Sequence, residues 1–563
     1  MLLPVSTGFA RFSQNQLSSR FTIVYVIWFK KLQDASTNAS LVESSDLGYT
    51  LAVLNNNGSL ARIIRNSAVF FIWGILFALA YSQSPLYTSN QNQYFLHGLA
   101  QAGVGELSAD WLANTLDPTP VFSVFVTWIY SALPYSPIFY AIYGLLLAIY
   151  LFSIEGIITI IYRWSGKDIR RTIFVAGLLV IHSAGWRFGL SRILSPEWSY
   201  VLEDGFAGQR MLGTVLQPSA FGVFLLLSIY LYLRDRAYLA VLAAVFAATV
   251  HPTYILGAGV LTGCYMLDSY IRERRLIHSL SLGLLGLLCI SPVLYNSLNV
   301  FLAGEGGAAF QAREILVYFR IPHHAVVSEW FTLVALTKML LILSALFAAR
   351  RSRLFLILAI SNLVLLVLTI IQVTTGSTVL ALLFPWRLSI YILPLSTAIL
   401  FGWLTDRLIG SQYFQDERRQ KILLGASYGL IAIVVVIGVV RFTLDLGRKT
   451  SIPEYAMQAY VAQNLQPGQT FLTPIKMQDF RIATGAPVYV DFKSIPYRAD
   501  EVIEWYRRIR LADRFYQSKD CGVLESILEE EVVSQVVSSS SLACSTLDMI
   551  YQDDSYLVYR VDR

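Results

Sequence analysis

The sequence predicts a polytopic α-helical membrane protein of about 11 transmembrane helices, followed by a small C-terminal α/β domain. Three observations carry this prediction. Of 563 residues, 55% are hydrophobic and only 14% are charged, a balance foreign to water-soluble chains of this length. Eleven apolar stretches reach, or nearly reach, the roughly 17–25 residues that cross a hydrocarbon core. Every second connection between them is basic, which is the bias of loops on the cytoplasmic side.

The expected spans are 67–83, 136–162, 172–190, 216–233, 237–250, 254–271, 277–296, 329–348, 354–373, 387–405 and 422–441. The fifth is short. It is retained because Arg234 and Arg236 precede it while Arg272, Arg274 and Arg275 follow the sixth, so an even number of crossings lies between. His251-Pro252 forms the turn of that hairpin, since the residue before a proline resists helix. Further basic clusters at Arg62/Arg65, Arg163/Lys167/Arg170/Arg171, Arg350/Arg351/Arg353 and Arg407/Arg418/Arg419/Lys421 complete the alternation. The connection 83–120 has neither Lys nor Arg. Residues 1–66 are therefore expected inside, and the large loops 84–135, 191–215 and 297–328 outside, together with the domain 442–563. The net charge of +6 reports this topology: the partner it implies is the bilayer, not a nucleic acid. Residues 1–20 lack a signal-peptide pattern, 21–29 read as an interfacial helix, and the Ser/Asn-rich 33–59 as loosely ordered.

From about Pro453 the composition becomes that of a soluble domain. Strand-like TFLTP (470–474), PVYVDF (487–492), VVSQVVS (532–538) and YLVYRV (556–561) alternate with helical 454–464, 499–516 and 523–531. This order predicts a mostly parallel sheet. Cys521 and Cys544 both fall in this outer tail, where an oxidising compartment permits a disulfide, whereas Cys264 and Cys289 read as small apolar residues in spans. Zinc-ligand spacing, a phosphate loop and a nucleophile elbow are all missing from the sequence.

Charge near membrane depth is costly and therefore marks candidate sites. The outer loops and adjoining span ends gather Asp110, Asp117, Arg210, Arg320, His323, His324 and Arg387, among the tryptophans Trp111, Trp186, Trp198 and Trp386. The inner loops are terse and basic, so function is expected outside. Glu155 and His182 read as residues that either pair with each other or simply sit in packed bundle positions, Asp268 and Lys338 as residues near water at span ends.

The segment 88–122 carries Tyr94, then Ala109-Asp110-Trp111-Leu112, then Pro118, Pro120 and Phe122. In this it resembles the first outer loop of polytopic lipid-linked-sugar glycosyltransferases with the GT-C fold. DPTPVFS (117–123), FRIPHH (319–324) and VYVDFKSIPY (488–497) more closely resemble an uncharacterised bacterial multispan family of unknown function. The resemblance implies a GT-C-like fold in a bacterial inner membrane and transfer of a sugar from a polyprenyl-phosphate donor at the outer face. One departure bears on the chemistry: Asn90 and Gln91 stand where that pattern has Asp-Glu, and an amide is not a base. Either Asp110 or Asp117 takes the carboxylate's part, or the fold persists without that reaction. Asp117 in Asp-Pro-Thr-Pro also suits turn capping. Arg210, Arg320 and Arg387 are the expected phosphate ligands, because a guanidinium stays charged and offers paired donors. Arg387 equally suits snorkelling to headgroups. His323 and His324 are candidates for a metal or a phosphate, and a divalent cation is the cofactor such chemistry admits. The alternatives are a non-catalytic GT-C-like protein that binds or assembles surface glycan or lipid, and a transporter. The latter is disfavoured by the lack of an inverted repeat.

Overall fold

The computed structural model describes residues 57–134, 136–165, 168–302, 306–530 and 532–562. The chain divides into two compact units, Met1–Ala68 and Val69–Arg563, and the account below concerns the second. The expected interfacial helix at 21–29 lies outside the described residues, as does nearly all of the stretch 33–59.

Helix dominates, and each of the eleven expected stretches falls on helix. Ile138–Tyr162, Leu276–Asn299, Leu354–Thr375, Thr378–Ile409 and Glu417–Thr450 are long and apolar enough to cross a membrane. A sixth such segment is broken: Ile169–Ile181 and Ala184–Ile193 meet at a 54° bend. The break has a local cause. The Ser183 hydroxyl accepts the Trp186 amide and caps a new helix. Ser67–Tyr81, Pro218–Leu233, Ala237–Val250 and Leu333–Ala349 are apolar but shorter.

Pro120–Ala132 is an apolar helix where the sequence suggests only loop. Pro120 at its first turn has a backbone angle already set for helix. The helix buries Phe122 and Val126 and leaves Trp128 on its open side. Where helices come closest, glycine is required. A side chain at Gly438 would meet the Leu79 carbonyl at 1.9 Å, so Glu417–Thr450 lies directly on the backbone of Asn57–Tyr81. Leu288, Leu340, Phe347, Leu363 and Val436 face outward and are more than half exposed, a far larger apolar surface than a water-soluble monomer presents.

The ionisable groups expected inside the helices each find a partner, as burial demands. Glu155 accepts from Arg171 and from the Thr159 hydroxyl, while His182 meets the Tyr150 hydroxyl at 2.8 Å, so the expected Glu155–His182 pair does not form. Asp268 accepts from the Tyr232 hydroxyl, and Lys338 donates to Asp204. Both side chains are buried, Asp268 near the end of Ile255–Glu273 and Lys338 near the start of Leu333–Ala349, where it lines the cavity described below.

The C-terminal part carries a four-stranded sheet: β1 (Phe471–Leu472), β2 (Gln535–Ser538), β3 (Leu547–Gln552) and β4 (Leu557–Val561), in the order β1-β2-β4-β3. Only β1–β2 is parallel. The expected mostly parallel sheet is therefore corrected. Asp553 accepts the Ser555 and Tyr556 amides, and the tight turn so formed folds β3 back on β4 as a hairpin. The expected strand 487–492 is reduced to one bridge, Val488 to Phe471. This part packs directly on the helices, since Ala312, Ile315 and Leu316 share a core with Trp505 and Ile509.

Cys521 and Cys544 are disulfide-bonded, joining the end of one helix to the loop after β2 across 23 residues. Closing a loop of that length contributes about 3 kcal/mol in the chain-entropy account. Cys521→Ser is expected to lower unfolding stability by about that amount, read by denaturant unfolding of the purified protein. A reductant should destabilise wild type alone; equal sensitivity of both proteins would contradict the bridge.

Candidate functional site

A cavity of about 940 Å³ lies between the helices and the C-terminal part. Its polar wall holds Asn90, Gln93 and Tyr94 from the first loop, Gln209 and Arg210, His251, Arg320 with His323 and His324, Lys338, Arg387, and Lys493 with Tyr497. Leu256, Leu294, Leu298, Leu316, Val334 and Leu382 supply its apolar lining.

Arg387 sits on a sharp turn. Phe384 takes the left-handed conformation (φ 50°) and Pro385 starts one 3-10 turn that buries Trp386 and projects the guanidinium into the cavity. It donates to His251 Nε2 at 3.1 Å, to the Thr253 hydroxyl and to the Gln209 side-chain carbonyl. All three partners are neutral. Burial and the neighbouring Arg387 hold His251 well below the ordinary histidine pKa, so it stays an acceptor. The Arg387 Nε is buried and makes no protein hydrogen bond.

Arg320 ends a π-helical stretch, Ile315–Arg320, a rare winding that recurs at functional sites. It donates to the Lys493 carbonyl at 2.6 Å, lies over the Phe492 ring, and also leaves its Nε unpartnered. Lys493 has its pKa lowered by burial and by Arg320. Among the described residues, Arg320, Arg387 and Lys493 make no ion pair with any carboxylate. Arg210 differs: it lies 3.5 Å from Asp204 Oδ2, and the same carboxylate takes Lys338. Burial keeps the phenols of Tyr94 and Tyr497 protonated, and Tyr497 accepts from Gln93 at 2.9 Å.

His323 and His324 line the cavity with their rings 4.1 Å apart. His324 donates Nδ1–H to the Ala207 carbonyl at 2.6 Å, leaving Nε2 as an acceptor. Its pKa is pushed down to about 3 by burial first and His323 second. His323 is lowered by burial and by Arg320. Both imidazoles are therefore neutral at pH 7 and meet a ligand as dipoles, not as charges. Among the described residues no group of three or more His, Cys, Asp or Glu side chains is placed to hold a metal ion.

The two expected carboxylates lie elsewhere. Asp110 is fully buried beneath the C-terminal part and does not line the cavity. Its Oδ2 accepts from Arg481 Nε at 2.7 Å and from the Val488 amide at 2.9 Å, and its Oδ1 from the Leu112 and Ala113 amides. Asp117 accepts the Thr119 amide, the turn-capping role its sequence context also suits, and borders a small crevice beside Tyr94. Carboxylates on the cavity wall are Glu197, Asp204 and Glu329. Sequence reasoning thus finds Arg210, Arg320, Arg387, His323 and His324 and misses Lys493, Tyr497, Gln209, His251 and Lys338 as wall residues. Lys493 stands within the motif VYVDFKSIPY, which marks the segment without revealing that it turns away from the sheet.

Fold and site together define a mostly helical protein with several apolar, span-length helices and a cation-rich cavity closed by a small sheet-bearing part. Residues 453–512, which supply Arg481, Lys493 and Tyr497, match a family described as "Domain of unknown function (DUF6798)". A search of curated proteins finds no match to the chain.

The depressed histidine makes a pH prediction. The folded value for His324 lies below the ordinary 6.5, so its neutral form stabilises the fold above about pH 6.5, and that contribution is lost as pH falls toward about 3. By about pH 5 the loss amounts to at most about 2 kcal/mol. His324→Gln is expected to flatten the acid limb of a stability–pH curve relative to wild type. Parallel curves would contradict a buried neutral imidazole.

Proposed function

We propose that the chain is a multi-pass membrane protein that binds a lipid-linked phosphate, of the polyprenyl-phosphate sugar type, in this cavity. The observation that carries the reading is the set Arg320, Arg387 and Lys493, largely withdrawn from water without a carboxylate, on a cavity whose remaining lining is apolar. An unpaired buried charge is expensive, and an anion entering the site offsets that cost. The volume, near the upper end for small-molecule sites, suits a headgroup plus the first part of a hydrocarbon tail.

The topology in this reading has eleven crossings, the N-terminus inside, and the cavity and C-terminal part outside a bacterial inner membrane. The alternation of basic connections supports it, and so does the disulfide, which belongs to an oxidising compartment. Exposed Asp500 replaced by cysteine is expected to react with an impermeant thiol reagent on intact cells. Labelling only after lysis would reverse the orientation.

Sugar transfer is the second reading, and the resemblance of the first loop to GT-C enzymes is what favours it. Asn90, at the position of that family's acid, does line the cavity, but an amide cannot take a proton there. With Asp110 occupied elsewhere, Glu197 and Glu329 are, among the described residues, the wall carboxylates free of an ion pair with Lys or Arg.

Binding is tested with the protein in lipid nanodiscs, offered a polyprenyl phosphate and the uncharged polyprenol of equal length. Wild type is expected to prefer the phosphate, and Arg387→Gln to lose about tenfold or more in phosphate affinity with the alcohol unaffected. Equal affinity of wild type for both lipids would refute the anion site. Turnover of a labelled polyprenyl-phosphate sugar that Glu329→Gln abolishes would favour transfer over binding alone.

A further inference from the structure

The cavity's phosphate end is built partly from a segment of the C-terminal part, the turn after Val488 that carries Lys493 and Tyr497. The Phe492 amide donates to the Ile475 carbonyl at 2.9 Å and Gln93 holds the Tyr497 hydroxyl, and three further interactions fix the middle of the turn. Asp491 Oδ1 accepts the Ser494 amide at 2.8 Å, the Trp505 indole N–H donates to the Asp491 carbonyl at 3.1 Å, and Arg320 donates to the Lys493 carbonyl. The free oxygen of the same carboxylate, Asp491 Oδ2, accepts from Arg481 Nη1. Arg481 is itself held from behind by Asp110. Asp110, Arg481 and Asp491 are all at most 2% exposed, and none lines the cavity.

We infer that Arg481, clamped between Asp110 and Asp491 outside the cavity, is a positioning residue that sets the 491–497 turn so that Lys493 and Tyr497 meet the phosphate. This rests on the lipid-phosphate reading of the cavity. The physical route is short. Arg481 fixes one oxygen of Asp491, the other oxygen fixes the Ser494 amide, and Lys493 lies between those two residues. The first loop joins through the same clamp, because Asp110 binds both Arg481 and the Val488 amide. The resemblance directs attention to Asp110 as an acid; the contacts make it an anchor for a guanidinium 371 residues away in sequence.

A purely structural clamp would lower the binding of every ligand alike as the fold weakens. A positioning clamp acts on the charged end alone and acts through Lys493. The test uses Asp491→Asn, which keeps an oxygen for the Ser494 amide but loses the charge that holds Arg481, and Asp110→Asn as a second variant. Each is made in wild-type and Lys493→Ala backgrounds, in nanodiscs, with polyprenyl phosphate and polyprenol as the two probes. Asp491→Asn is expected to reduce phosphate affinity about tenfold, leave polyprenol affinity unchanged, and cost much less in the Lys493→Ala background, where only Tyr497 is left to be positioned. Hydrogen exchange of the 488–497 amides should accelerate in the same variants without any ligand present.

Equal losses for both lipids, or losses that add fully to that of Lys493→Ala, would overturn the positioning role. So would unchanged exchange at 488–497. If wild type fails to prefer the phosphate, the cavity reading falls instead, and the exchange data still decide whether the clamp sets the turn. Should Asp491→Asn not fold, Asp110→Asn carries the same comparison from the far side of Arg481.

Discussion

The structure depends on how buried charge is compensated. Removing an ion from water costs several kcal/mol unless an opposite charge and hydrogen bonds replace the solvent. Through most of this chain they do. Arg481 lies between two carboxylates, Lys338 on Asp204, and Arg187 beside Glu203 at 3.5 Å. Around the cavity the rule lapses. Arg387 is met by an imidazole, a hydroxyl and an amide, and Arg320 by a carbonyl and an aromatic face. The same fold that pairs Arg481 twice leaves these two unpaired, so the difference marks a place, not a general looseness of packing.

The helices were legible because apolarity over twenty residues is a local property. Glu417–Thr450 and Ile138–Tyr162 could be read from composition alone. The Ser183 break could not, since it turns on one hydroxyl capping one amide within an apolar run. Three strands of the sheet were legible: β1 falls within TFLTP, β2 and β4 within the Val-rich segments 532–538 and 556–561, but the exposed edge strand β3, with its bulge between Met549 and Tyr551, carries little apolar signal. Strand direction was not legible at all, because it follows from the Asp553 turn and from neither strand.

In the site, the arginines were readable, and the lysines and acids were not. A guanidinium at a span end is conspicuous whatever it touches, so Arg320 and Arg387 stood out. A carboxylate's role depends on its partner, and the partner of Asp110 lies 371 residues away. Arg481 occurs in an ordinary helical turn, and nothing in its neighbourhood advertises that it meets the first loop. The amides that replace the expected acids have the same logic. Asn90 donates to the Gln217 side-chain carbonyl at 2.8 Å, and Gln91 to the Leu216 carbonyl at 3.0 Å. A carboxylate has no proton to donate in either place, so the first loop uses amides to bind its neighbours.

The cavity is also electrically uneven, and that decides how the loops divide their labour. Asp204 is shared by Lys338 and Arg210, so one carboxylate answers both cations of that wall; Arg210 rests on the Tyr200 ring, 3.5 Å from its centroid. Next to Asp204, Glu203 is buried beside Arg187, and burial raises its carboxyl to about 7 despite that neighbour. The loop 203–210 therefore spends its charges on its own burial, and Arg210, alike in sequence to Arg320 and Arg387, is not alike in field. Positive charge with no carboxylate partner among the described residues is left to Arg320, Arg387 and Lys493, contributed by three separate stretches of chain. In the lipid-phosphate reading, the ligand's own charge takes the place that a carboxylate fills elsewhere in the fold.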